Sequence, residues 1–187
     1  MSQQRSAPEL DVTRAHFGYE VKRRLPWVML SVVAGVAMIW IAQAYEEALS
    51  KKIQLAFFVP VIVYMSDSIG TETLALFVRE LAKKQVRISR ILIKELYVGL
   101  FLGLASGLPM GLFSYVWFKD AALAATVATS MIVNGVVAVL VGMLIPVAFS
   151  KLGRDPALGT DEITTALSDN LSMFVYLLTA AIILFAI

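Results

Sequence analysis

Residues 121–150 read AALAATVATSMIVNGVVAVLVGMLIPVAFS and contain no Asp, Glu, Lys or Arg. These 30 residues exceed the about 20 that an α-helix needs to cross the hydrocarbon core of a bilayer. The rest of the chain has the same character, since 59% of its 187 residues are hydrophobic and only 16% are charged. Ordinary soluble domains have roughly 45–50% apolar and about 25% charged residues. The sequence therefore predicts an integral membrane protein.

Apolar stretches of spanning length recur along the chain and predict an all-α protein with five transmembrane helices. The five predicted spans are residues 25–45, 53–81, 96–118, 121–150 and 163–187. Pro26 lies just inside the first, where a missing N–H costs nothing. Pro60 and a polar patch at 66–72 predict that the second span is broken or kinked. The third and fourth spans should form a hairpin, with Asp120 as the N-cap of the fourth.

The 16 Lys and Arg residues all lie outside the apolar centres, and 13 of them fall in loops on one side against three on the other. By the positive-inside rule, we expect the N-terminus in the cytoplasm and the C-terminus outside, in a cell (inner) membrane. Topology accounts for these basic residues, so they do not indicate a nucleic-acid partner.

Residues 1–24 are expected to form a cytoplasmic N-terminal segment, and residues 25–187 the transmembrane domain. Leu10, Phe17 and Val21 recur at helical spacing, with basic residues elsewhere on the turn. This pattern predicts a short amphipathic helix at the membrane interface over residues 10–24, anchoring the lead into the first span. The segment is polar and the apolar run after it is long, so no cleaved signal peptide is expected.

Among the carboxylates within the predicted spans, Asp67, Glu72 and Asp169 are the three that most need an explanation. Because an ionised carboxylate in a span costs about 2.5–3.5 kcal/mol, each should face a cavity, a partner or an ion. For Asp67 and Glu72 a structural role is also open, since Arg79 could reach back to Glu72. No basic residue lies in an apolar centre to pair with Asp169. Polar residues at helical spacing share a face with it: Thr165, Ser168, Ser172 and Tyr176.

Oxygen ligands of this kind suit a hard divalent cation such as Mg²⁺, which keeps most of its water and is held by one or two carboxylates. One Asp169 per chain would make a weak site, whereas two across a dimer axis would make a site for a divalent ion. The chain has no cysteine and one histidine, His16, which excludes disulfides, thiolate metal sites and multi-histidine sites.

Four glycines in the third span form three successive G-x-x-x-G steps: Gly99, Gly103, Gly107 and Gly111. This spacing predicts close packing against another helix. Asn134, in the middle of the fourth span, is expected to hydrogen-bond between helices.

Several stretches resemble the membrane domain of the MgtE family of magnesium channels and transporters. They are Leu25-Pro26-Trp27, LAFFVPV at 55–61, LGRDPA at 152–157 and TTALSD at 164–169, with Tyr176 beyond. The resemblance covers about residues 22–187 and all five spans in the same order. The family's second helix usually reads G-G-N-x-G-x-Q, whereas residues 66–72 here read SDSIGTE, keeping only Gly70 and adding two acids.

The resemblance implies a homodimer with a pore at its two-fold axis, lined by the second and fifth spans and carrying Mg²⁺. It implies that Asp169 holds the hydrated ion and that Asp155 lies at the cytoplasmic mouth. The full set of candidate metal-site residues is Asp169, Asp155, Thr165, Ser168, Ser172, Asp67, Glu72 and Ser68. Bacterial members usually carry a cytoplasmic sensor with CBS domains before the first span. With 24 residues in that position, we expect such regulation to need a separate partner.

The leading hypothesis is a homodimeric divalent-cation channel or transporter, with Mg²⁺ as the transported ion. The extra acids keep open a proton- or sodium-coupled carrier of another divalent cation, and the glycine series keeps open a non-transporting membrane assembly subunit. An enzyme is not expected. Ser106 lies in L-A-S-G without a histidine in the membrane to act as its base, and no pair of aspartates near a span is spaced for two metals.

Overall fold

The computed structural model describes residues 17–81, 88–153 and 160–186, and this part of the chain folds into six helices. In chain order they are α1 (Phe17–Ala44), α2 (Glu46–Lys51), α3 (Gln54–Leu81), α4 (Ile88–Phe118), α5 (Ala121–Lys151) and α6 (Thr160–Ala186). All except α2 are long and apolar enough to span a membrane. The all-α class and the five predicted spans are therefore confirmed.

The first two spans differ from the prediction around their prolines. Pro26 is well inside α1, because that helix already begins at Phe17, so the expectation of a first-turn proline was wrong. Residues 17–24 of the expected interfacial helix are the first turns of α1, while residues 10–16 lie outside the described residues. α3 continues through Pro60 without a break. A proline removes one backbone hydrogen bond of the helix, yet α1 and α3 remain helical on both sides of theirs.

The short helix α2 was not predicted. It lies between α1 and α3, with Glu46 and Glu47 in its first turn and Lys51 in its last. This order of charges complements the helix dipole. α2 therefore continues the chain in helical form over the polar residues between the first two spans.

α4 and α5 form the predicted hairpin, and the glycine series of α4 lies against α5. A Cβ atom at Gly99, Gly103 or Gly107 would lie 2.5–2.8 Å from a backbone carbonyl oxygen of α5. Real Cβ atoms essentially never come that close, so each position needs a residue without a side chain. The predicted close packing is confirmed.

The turn between these helices contains the predicted N-cap, because Asp120 Oδ1 accepts a hydrogen bond of 2.9 Å from the Leu123 N–H. Lys52 Nζ forms an ion pair of 2.5 Å with the same carboxylate, joining the start of α3 to the α4–α5 turn. Burial would raise the pKa of Asp120, but the hydrogen bonds from Lys52 and Leu123 and the charge of Lys52 lower it below its ordinary value.

α5 is the central helix, in contact with α3, α4 and α6, whereas α1 packs against α6. The side chains of Leu55, Leu123, Val127 and Leu177 are fully buried between these helices. The expected interhelical bond of Asn134 is confirmed, since its Nδ2 donates to the Ser172 carbonyl of α6 at 3.1 Å. The core therefore lies around α5, and the most apolar stretch of α1 contributes no buried residue to it.

Candidate cation site between α3 and α6

α3 and α6, the second and fifth spans, are joined by side-chain hydrogen bonds spread along their length. The three bonds are Thr165 Oγ1 to Asp67 Oδ1 at 2.9 Å, Ser66 Oγ with Ser168 Oγ at 3.3 Å, and Tyr176 OH to the Leu55 carbonyl at 2.9 Å. Each polar group thereby finds a partner within the protein, as membrane-spanning helices require. The bonds fix which face of α6 lies against α3.

Packing divides the polar stripe of α6 into two rows. Ser168, Ser172 and Tyr176 are at most 1% exposed, so they face the interior of the protomer. The Ser168 hydroxyl bonds with α3, and Ser172 Oγ donates to the Asp169 carbonyl at 3.0 Å. Thr165 and Asp169 are only partly buried. The row formed by these two residues is the one that reaches the surface of the helix bundle.

Asp67 and Asp169 line the same open pocket, which has a volume of about 440 Å³. The rest of its lining comes from α1 and α3: Met38, Val59, Pro60, Val63 and Tyr64. The Oδ1 atom of Asp169 is buried and accepts no hydrogen bond from the described residues. No lining residue is basic, so the pocket combines two carboxylates with no opposite charge.

This arrangement suits a cation that brings its own water. Two carboxylates at membrane depth need a compensating ion or water, and Mg²⁺ is held by one or two carboxylates while it keeps several waters. Over the described ranges, no group of three or more His, Cys, Asp or Glu side chains comes together. The chain therefore supplies two carboxylates to the pocket, and the remaining lining is apolar or aromatic.

The other candidate residues of α3 lie on its exposed side. Ser68 and Glu72 are exposed and follow Tyr64 at four-residue spacing, so the three form one row, which we call the open row of α3. Within the part of the chain that the structure describes, no ion pair joins Glu72 to Arg79. Asp155 lies outside the described residues.

The sequence analysis did not identify three residues in or beside the pocket. Two of them, Tyr64 and Met38, line the pocket, and neither carries a charge that would single it out. Asn170, next to Asp169, donates through Nδ2 to the Ala34 carbonyl of α1 at 3.2 Å and to the Ala166 carbonyl at 2.8 Å. An asparagine beside an intramembrane aspartate was the available signal, but its partner on α1 is visible only in the fold.

Known proteins are similar to this chain in sequence. A family model for MgtE, described as a divalent cation transporter, matches residues 59–179, which include both Asp67 and Asp169. The magnesium transporter MgtE of Bacillus subtilis is 32% identical over 157 residues, which cover 82% of this chain. The magnesium transporter MgtE of Enterococcus faecalis is 33% identical over 157 residues, again 82% of the chain.

The magnesium transporter MgtE of Thermus thermophilus is 32% identical over 168 residues, or 88% of this chain. The matches span 35–37% of the length of these three curated relatives. The family model covers more than half of the chain. Over most of the chain's length, the relatives are identical to it at about a third of the aligned positions. This multi-pass membrane protein therefore belongs to the MgtE family of divalent cation transporters.

Proposed function

We propose that this protein moves a divalent cation, Mg²⁺, across the cell membrane, and that the ion binds at Asp67 and Asp169 between α3 and α6. One observation carries the proposal: two intramembrane carboxylates line one open pocket that contains no basic side chain. Membership of a divalent cation transporter family supports the same class of substrate. The names of the three relatives, all magnesium transporters, favour Mg²⁺ as the ion.

We further propose that two copies enclose the pathway. The open row of α3 has Glu72 exposed at the surface of a single protomer, and Tyr64 beside it is 72% exposed. A carboxylate facing hydrocarbon costs about 2.5–3.5 kcal/mol, so this row should face water or another protein surface. In a two-fold dimer, α3 and α6 of both copies would line one pore, and four carboxylates would surround the ion.

Each candidate residue has a distinct part in this proposal. Asp67, held by Thr165, and Asp169 attract the hydrated ion. Ser68 and Glu72 would extend the polar lining along α3. For Asp155, which is outside the described residues, the family resemblance alone supports a role at the cytoplasmic mouth. Ser168 and Ser172 act indirectly, by holding α6 against α3 and fixing the backbone beside Asp169. The Lys and Arg distribution supports a cytoplasmic N-terminus and an outer C-terminus.

The experiment is Mg²⁺ uptake by the full chain in liposomes that contain a trapped Mg²⁺ indicator. Asp169→Asn and Asp67→Asn should each lower uptake at least about tenfold, because each removes a charge that Mg²⁺ needs from its few carboxylates. Glu46→Gln, which neutralises an exposed acid of α2 away from the pocket, is the matched control and should transport normally. Normal uptake by Asp169→Asn would contradict the proposed site.

A proton- or sodium-coupled carrier of another divalent cation is the second candidate, favoured by the exposed Glu72 that has no ion pair with Arg79. It predicts uptake that depends on a pH or sodium gradient and loses this dependence in Glu72→Gln. The third hypothesis, a non-transporting assembly subunit, loses its main support. The glycine series that suggested it is occupied by α5 of the same chain.

A further inference from the structure

Tyr64 is exposed at an unusual place for a tyrosine in a membrane protein. It lies in the middle part of α3, its side chain is 72% exposed in the protomer, and it lines the same pocket as Asp67 and Asp169. Its hydroxyl forms no hydrogen bond with any residue in the described ranges 17–81, 88–153 and 160–186. The ring and the hydroxyl are therefore free to contact whatever fills the pocket.

The polarity of the phenol indicates what fills the pocket around it. A hydroxyl facing hydrocarbon without a partner is unfavourable, and membrane tyrosines therefore gather at the two interfaces, where one end is wet. Tyr64 is instead beside two carboxylates, which themselves require water or an ion. All three side chains line one pocket, so water that solvates the carboxylates would be available to the tyrosine hydroxyl as well.

The position of Tyr64 along α3 sets its relation to the ion. It precedes Asp67 by three residues, which is about 4.5 Å along a helix axis. With the N-terminus in the cytoplasm, α3 runs from the outer side inward, so Tyr64 lies on the outer side of the carboxylates. A cation approaching from outside would pass the ring before it reaches Asp67 and Asp169.

We propose that Tyr64 is a further ion-binding residue of the cation pathway. Its ring narrows the outer approach to Asp67 and Asp169, and its hydroxyl oxygen accepts a hydrogen bond from a water molecule of the hydrated divalent cation. Water bound to a divalent cation is a strong donor, and a phenol oxygen is a suitable acceptor. This inference rests on the proposed function, because it requires the ion to bind at the two carboxylates.

Kinetics of Mg²⁺ uptake into liposomes test the hydroxyl. Tyr64→Phe keeps the ring and removes the hydroxyl, so KM for Mg²⁺ should rise by about tenfold, the worth of one charge-assisted hydrogen bond, with little change in maximal rate. The matched control is Tyr97→Phe on α4, since Tyr97 is 71% exposed and lines a separate apolar pocket without Asp or Glu. Its KM should not change.

Cysteine accessibility tests the location, and the chain contains no cysteine that would interfere. The single thiol of Tyr64→Cys should react with a charged, water-soluble methanethiosulfonate reagent added outside, and saturating Mg²⁺ should slow the reaction. Tyr97→Cys, near the cytoplasmic start of α4 and in an apolar pocket, should not react with this reagent either with or without Mg²⁺. Tyr64 and Tyr97 are 72% and 71% exposed, so these changes should remove little buried contact between helices.

The outcomes separate this inference from the proposed function. If Asp169→Asn is inactive but Tyr64→Phe has the wild-type KM, or Mg²⁺ does not protect Tyr64→Cys, the role of Tyr64 is wrong and the carboxylate site stands. If Asp169→Asn transports normally, the proposed function fails and the role of Tyr64 fails with it. A raised KM in Tyr64→Phe together with Mg²⁺ protection of Tyr64→Cys supports both.

Discussion

Thr165 Oγ1 donates a hydrogen bond of 2.9 Å to Asp67 Oδ1, so α6 contacts one of the two intramembrane carboxylates of the pocket directly. The threonine lies one turn before Asp169 on the same helix. The bond therefore does two things at once: it orients the carboxylate of α3 and it fixes the position of Asp169 relative to it.

Replacing Thr165 by Val removes this donor and keeps the shape of the side chain. Asp67 then loses its bond from α6, and KM for Mg²⁺ should rise about two- to tenfold, since a typical hydrogen bond contributes about 0.5–1.5 kcal/mol. Uptake into liposomes measures the change. Thr165→Ser, which keeps the hydroxyl, should restore the wild-type KM, and a Val variant with wild-type KM would contradict a positioning role.

Mg²⁺ should stabilise the folded protein if it binds in the pocket. A ligand at 100 times its Kd contributes about 2.7 kcal/mol to the free energy of unfolding, so Tm in detergent should rise with added Mg²⁺. Asp169→Asn should abolish most of this rise, whereas Glu46→Gln should keep it. An equal rise in wild type and Asp169→Asn would show that the stabilising ion binds elsewhere.

The glycines at the α4–α5 contact should not tolerate a methyl group. In Gly135→Ala the new Cβ would lie 2.8 Å from the Gly103 Cα, so the helices must separate, at a cost of about 1–3 kcal/mol. Gly35→Ala in α1 is the matched control, because a Cβ there meets nothing within 4 Å. Thermal unfolding in detergent should show a lower Tm for Gly135→Ala only, and equal Tm values would refute the close contact.

The Lys52–Asp120 pair should stabilise the fold above about pH 4, the ordinary pKa of an aspartate. Asp120 is then ionised in both the folded and the unfolded chain. Because the pKa of Asp120 is lowered in the folded protein, protonation as the pH falls from about 4 through that lowered value removes the stabilisation. The pair is partly exposed, so its contribution should be about 0–1 kcal/mol.

Asp120→Asn separates the charge from the cap, since asparagine is an equally good N-cap. The free energy of unfolding of this variant should be lower than that of wild type at pH 7, and the difference should vanish as the pH falls below about 4. Asp120→Ala should cost about 1 kcal/mol more at every pH, because the cap of α5 is lost as well. A difference between Asn and wild type that does not depend on pH would contradict the ion pair.

Features that depend on local physics could be predicted from the sequence. A bilayer requires about 20 apolar residues per helix, so the five spans follow from composition alone. The Asp120 cap and the glycine series are local patterns with one physical use each, and both were confirmed. The two prolines lie inside helices that continue past them: Pro26 is not at the start of α1, and α3 is not broken at Pro60.

The sequence predicted which residues form the polar stripe of α6. It could not predict which of them would be buried and which would remain exposed. The helical period places these residues on one broad face: Thr165, Ser168, Asp169, Ser172 and Tyr176. The local sequence does not indicate which part of that face the neighbouring helices will cover. Packing against α3 and α5 buries Ser168, Ser172 and Tyr176, and leaves Asp169 in an open pocket.

By itself, the sequence determined that this protein is a five-span membrane protein with carboxylates in its spans, because the bilayer selects for apolar composition and makes every intramembrane charge an exception. Only the tertiary structure decided that Asp67 and Asp169 line one pocket with Tyr64 beside them. The physical reason is separation along the chain: Asp67 and its partner Thr165 are 98 residues apart, and only the packing of α3 against α6 brings such residues together.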